Sequence, residues 1–164
     1  MSHGCKSSIT ETAIRSIDEE MWLSFSVELT RFARVLVGAT EAPDVVAVAF
    51  VRVCRRGWHD VKEPRAYLHR CVANEARNHH RQQQRRLRRD VHALLPLVAA
   101  EATAELDHVR RAVEALSVRQ RAVVYLAYWR DLADKDIAAR RDLSPSSVRR
   151  HLDRARAHLR KALG

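Results

Sequence analysis

Glycine and proline are scarce, four of each in 164 residues, and none interrupts the long periodic stretches. With alanine, leucine, arginine and glutamate supplying much of the remainder, this composition predicts an all-α chain. Cysteine is scarcer still. Cys5, Cys54 and Cys71 are odd in number and include no Cys-x-x-Cys pair, which argues against a disulfide framework or a cysteine zinc cluster and fits a reducing cytoplasm. Cys54 and Cys71 lie among apolar helical neighbours and read as small buried hydrophobes rather than a redox switch. No run of about 18 uncharged apolar residues occurs, and the N-terminus lacks a basic flank followed by a hydrophobic core, so neither a membrane span nor a secretion signal is expected.

Acidic residues are also in deficit: 20 Asp and Glu stand against 30 Lys and Arg, a formal net charge of +10. The excess is concentrated. Between 64 and 90, Arg65, Arg70, Arg77, Arg81, Arg85, Arg86, Arg88 and Arg89 face only Glu75 and Asp90. Such clustering is the footprint of a protein that meets phosphates.

The C-terminal stretch is organised around Leu143-Ser144-Pro145-Ser146-Ser147-Val148-Arg149-Arg150-His151-Leu152. Ser144 fits a helix N-cap, and Pro145 the first helical position, where its missing amide proton would go unpaired anyway. Val148, Leu152, Ala155 and Leu159 then form one apolar stripe. Ser146, Arg150, Asp153 and Arg154 point the other way, with Ser147 and Arg149 on the flanks. Upstream, Leu132 to Arg141 reads as a short helix with Ile137 and Ala138 buried, and Asp142-Leu143-Ser144 as the turn between two crossing helices. Before that, Ser117 and Gln120 have capping-box spacing, and Val123, Leu126 and Ala127 give a core face. Three helices around a small core, a helix-turn-helix, are expected.

In the N-terminal half, residues 1–20 show no clear periodicity and read as a flexible leader. From Met21, Trp22, Phe25, Leu29, Phe32, Ala33 and Leu36 recur at helical intervals up to Gly38. Pro43 and Asp44 open a second helix with a broad apolar surface of Val45, Val46, Val48, Ala49, Phe50 and Val53. The absence of strict alternation favours helix over strand there. Gly57 ends it. Pro64 starts a third, with Tyr67, Leu68, Cys71 and Val72 inward and Arg70, Asn74, Arg77, Asn78 and Arg81 on more polar faces, running into the basic segment His79 to Arg89. Residues 90–106 read as a linker carrying Val91, Leu94, Leu95, Leu97 and Val98. The organisation expected is a leader (1–20), a helical domain (21–89), the linker (90–106) and a helix-turn-helix domain (107–164).

The runs Ala115-Leu116-Ser117-x-x-Gln120-Arg121-Ala122-Val123-Val124, Asp136-Ile137-Ala138, Ser144-Pro145-x-Ser147-Val148-Arg149 and Arg154-Ala155-Arg156-x-x-Leu159 occur in order. Together they resemble the promoter-reading domain of bacterial RNA polymerase sigma factors of the compact, extracytoplasmic-function type in the sigma-70 family. Gly38, Asp44, Phe50, Pro64-Arg65-Ala66-Tyr67-Leu68, Asn74 and Arg81 resemble the family's other domain, which binds core polymerase and melts DNA near the start site. The likeness covers about residues 22–163. It implies a transcription initiation factor with RNA polymerase core and promoter DNA as partners, an inhibitory anti-sigma factor as a further partner, and no cofactor or metal. It implies that Asp44, Val45 and Val48 dock on polymerase, and that Asn74, Arg77, Asn78 and Arg81 read the -10 element. Ser146, Ser147, Arg149, Arg150 and Arg154 would read the -35 element. Four positions depart from the family pattern: Pro43 and Ala47 replace polar polymerase contacts, Ala133 a capping hydroxyl, and Asp142 a glycine of the turn.

Two other functions compete. An enzyme would draw on His79, His80, Cys71, His151 or His158, but adjacent histidines diverge on a helix and only Glu75 lies near enough to assist, so no catalytic residues are assigned. A stand-alone helix-turn-helix regulator would need a dimerisation element, and no sustained heptads exist; it would also leave the first domain without a purpose.

Overall fold

A computed structural model describes residues 5–89 and 104–164, side chains being described for 17–86 and 107–164. Among the described residues there are seven helices: α1 (Cys5–Val37), α2 (Ala42–Arg56), α3 (Pro64–Arg89), α4 (Ala104–Glu114), α5 (Val118–Tyr128), α6 (Asp134–Arg141) and α7 (Pro145–Leu163). None is long and apolar enough to cross a membrane. The apolar residues expected in the linker, Val91 to Val98, lie outside the described residues.

The first three helices pack as a bundle on the stripes that the sequence spaces at i, i+3, i+4 and i+7. Leu29, Phe32, Ala33 and Leu36 of α1 are buried against Val46, Ala49 and Val53 of α2 and Leu68, Val72 and Ala76 of α3. Gly38 and Gly57 follow α1 and α2 at φ 95° and 83°, a region that side chains with a Cβ rarely enter, and the Gly57 amide donates to the carbonyls of Val53 and Cys54.

The segment read as a flexible leader is helical from Cys5 onward and continuous with the rest of α1. Neither glycine nor proline interrupts it after Gly4. A tertiary contact also ties it down: the Trp58 indole Nε1 donates to Asp18 Oδ1 at 2.6 Å, from the connector between α2 and α3.

In the C-terminal unit both caps form as the sequence predicts. Ser117 Oγ accepts from the Gln120 amide at 3.3 Å while the Gln120 side chain accepts from the Ser117 amide at 2.9 Å. Ser144 Oγ accepts from the Ser147 amide at 3.2 Å, with Pro145 in the first turn. Ala133 caps α6 with no side-chain bond. Asp142 takes the left-handed conformation at φ 54°, ψ 54°, doing what glycine would do in this turn; aspartate tolerates that region better than most residues. A fourth helix, α4, precedes the three expected, and Ala112 and Leu116, four apart, are the buried residues of that approach.

The two units are not separate. α5 packs on α1 and α3, and α6 packs on α3. The Phe32 and Tyr125 rings lie 5.2 Å apart, Arg121 Nη1 donates to the Val35 carbonyl at 3.4 Å, and Arg130 pairs with Glu28 at 3.4 Å. Glu28 also accepts from Arg65 at 2.6 Å, so one carboxylate joins α1, α3 and the C-terminal unit.

Candidate nucleic-acid and polymerase interfaces

α7 presents its outer face because its inner face is fixed. Val148 and Ala155 are fully buried and Leu152 nearly so, which leaves Ser146, Arg149, Arg150 and Arg154 exposed and Ser147 half-buried. The hydroxyls of Ser146 and Ser147 both lie 2.9 Å from Ser144 Oγ, so the cap and the front of the helix share one hydrogen-bonded cluster. Arg149 Nε reaches Asp134 on α6 at 3.5 Å. Among the described residues no carboxylate pairs with Arg150 or Arg154, and these two guanidiniums are the free cations of the face. His151, between them, is half-buried; burial first, and then the charges of Arg119, Arg154, Arg150 and Arg141, hold its imidazole below the usual value.

On α3, Asn74, Arg77, Asn78 and Arg81 follow one another at helical spacing and form a single stripe. Asn74, Asn78 and Arg81 are exposed. Arg77 is half-buried; its Nη2 donates to Asn74 Oδ1, and Arg119 of the C-terminal unit is its strongest charged neighbour. The structure therefore brings these four residues together but leaves only three of them open to solvent.

Of the residues expected to meet polymerase, Asp44 and Val48 are exposed, whereas Val45 is 3% exposed and belongs to the core. The helical phase explains the correction: Val45, Ala49 and Val53 face inward, and Asp44, Val48 and Val51 share the outer stripe. Val51 was not anticipated there, nor were Leu23 and Val27, a pair four apart on α1 that is even more exposed. The signal for them was present, since both fall off the stripe of Phe25, Leu29 and Phe32.

Two of the histidines considered for catalysis have separate partners. His79 Nε2 lies 2.9 Å from Glu41, His80 contacts Gln84 at 3.0 Å, and His69, which the sequence did not single out, is buried with Nδ1 2.9 Å from the Arg65 carbonyl. Cys54 lies beside Asp18, and burial followed by that carboxylate pushes its thiol up to about 12.

Two helical units, one ending in a capped helix-turn-helix with a basic outer face and the other carrying an asparagine-arginine stripe, define a DNA-binding protein of bipartite type. Comparison with known proteins makes that specific. Residues 22–86 match the Sigma-70 region 2 family and residues 106–159 match Sigma-70, region 4. An RNA polymerase sigma-E factor of Streptomyces avermitilis is 32% identical over 144 residues, covering 82% of this chain and 78% of that protein. A solved structure of the sigma factor RpoE with the anti-sigma factor NepR, from Bartonella quintana, shares the fold with a TM-score of 0.70 at 21% identity, covering 88% of this chain and 95% of that one. The chain belongs to the sigma-70 family, in its extracytoplasmic-function type. It is a transcription initiation factor, not an enzyme: it binds RNA polymerase core and directs it to promoters, with a region 2 domain for the -10 element and a region 4 domain for the -35 element.

Proposed function

We propose the following division of labour among the residues. In the region 4 unit, 107–164, Ser146, Ser147, Arg149 and Arg150 at the front of α7 enter the major groove of the -35 element, and Arg154, one turn further, holds backbone phosphate. The observation that carries this is the pairing of a fully buried Val148 with an exposed Arg150 that no carboxylate among the described residues engages. In the region 2 unit, 21–89, Asn74 offers an amide to an extruded base of the -10 element, while Arg77 and Arg81 hold the strand and Asn78 extends the same edge. Asp44 and Val48, joined by Val51, form the polymerase contact on α2. A face with two exposed valines beside a carboxylate is a poor solvated surface and a good docking surface.

Inhibition by an anti-sigma factor, as in the Bartonella quintana complex, and residence in the cytoplasm with the polymerase complete this reading. In vitro transcription with core polymerase, followed by start-site mapping, tests it. Initiation must depend on this chain, and the upstream sequence preference must follow the α7 side chains. Tight promoter footprinting by the free chain at physiological salt, without polymerase, would contradict it.

A further inference from the structure

The seam between the two units gathers charge of one sign. Arg77 enters it from α3, Arg119 from the start of α5 and Arg141 from the end of α6, with His151 of α7 alongside. Arg141 is 7% exposed, and among the described residues neither its Nε nor its Nη1 has an acceptor. Arg77 Nε is likewise buried without one. The charges that bear most on Arg141 are those of Arg77, Arg119 and Arg70, all positive; with burial as the larger cause, they pull its guanidinium down to about 10. Among the described residues no ion pair joins Arg77, Arg119 or Arg141 to a carboxylate. The other buried arginine of the seam differs in part: Arg121 Nε also has no acceptor among the described residues, but its Nη1 reaches the Val35 carbonyl and the nearby charge that bears on it is the opposite one of Glu114.

A buried guanidinium with open N–H directions and like-charged neighbours is unfavourable as it stands. Hydrophobic packing does not relieve it, and neither does water alone, since the repulsion persists. An oxyanion relieves both defects at once, because several acceptor oxygens on one multiply charged centre match the planar fork of arginine. Duplex DNA is too bulky to present its backbone to a side chain so enclosed as Arg141, which favours a small ion as the occupant.

We propose that the Arg77–Arg119–Arg141 seam is a binding site for a small phosphate-class polyanion, which bridges the region 2 unit to the region 4 unit and holds the chain closed. The site stands on the side-chain arrangement alone. Its consequence for transcription, competition with the promoter strand for Arg77, rests on the role proposed above for that residue.

The test is calorimetric titration of the full chain with inorganic pyrophosphate at low ionic strength. Saturable binding of one anion per chain is expected. Arg77→Gln on one side of the seam and Arg119→Gln on the other should each weaken it at least about tenfold, as should Arg141→Gln. Arg119 is exposed, so its variant keeps the measurement interpretable if Arg141→Gln fails to fold. Arg86→Gln, on the exposed end of α3, should leave the affinity within about twofold, as expected for a distant surface charge. The proposal is overturned if pyrophosphate does not saturate, if Arg86→Gln weakens binding as much as the seam variants, or if only one side of the seam matters. It is overturned too if pyrophosphate fails to bind while Arg141→Gln weakens a short random-sequence duplex, since the cluster would then belong to the DNA track.

Discussion

Replacing Arg150 with alanine isolates what the outer face of α7 contributes to promoter choice. The side chain is exposed and no carboxylate among the described residues engages it, so nothing must be broken before it meets a base edge. A bidentate arginine-guanine contact contributes about 1–3 kcal/mol of discrimination, roughly 5- to 150-fold between preferred and altered base, and Arg150 should fall in the upper half of that range. Arg149 starts from a different position. Its Nε lies 3.5 Å from Asp134 with 68% of the side chain exposed, a pair whose loss offsets at most about 1 kcal/mol of any new contact. Arg149→Ala should therefore cost less than Arg150→Ala. Arg154→Ala, a turn further along, should weaken all upstream sequences alike by removing a phosphate contact. Transcription of a randomised upstream library by polymerase reconstituted with each variant reads all three. If Arg150→Ala leaves the sequence preference untouched, or flattens it no more than Arg154→Ala does, α7 does not read DNA through this face.

Val148→Asp places an unpaired carboxylate at a fully buried position between α6 and α7 and should unfold the region 4 unit, a loss of about 3–5 kcal/mol visible in urea titration; a native-like midpoint would refute the packing. Asp44→Lys combined with Val48→Glu should abolish capture of core polymerase while leaving helix content unchanged, whereas unchanged capture would remove α2 from the interface. With its thiol pushed up to about 12, Cys54 should alkylate far more slowly in the folded chain than in the denatured one at mildly alkaline pH, by at least about 100-fold in peptide-resolved mass spectrometry; equal rates would contradict the contact with Asp18. Burial lowers the His69 imidazole value, so the unfolded chain binds its proton more readily and stability is full above the ordinary value of about 6.5 and lost as pH falls below it. His69→Gln should flatten that fall in melting temperature, and an unaltered slope would assign it to other groups.

The sequence alone determined whatever local chemistry dictates. Ser117 with Gln120, and Ser144 with Pro145, fix helix starts because their partners lie three residues away, and Gly38 and Gly57 fix helix ends because only the backbone is involved. The stripe of Val148, Leu152 and Ala155 set the outer face of α7, and with it Arg150 and Arg154, before any fold was known. The phase of α2 was less legible. In a run as apolar as Val45 to Val53 several phases bury a similar area, and only packing against α1 and α3 turned Val45 inward and left Val48 and Val51 outside. Helix through residues 5–20 had no periodic signal, and the Trp58 contact that holds its Asp18 comes from forty positions away. The contact of the two units was invisible for the same reason. Its polar residues, Glu28, His69, Arg121 and Arg141, resemble any solvated charge when read along the chain, and their burial depends on a surface that arrives from the other half of the sequence.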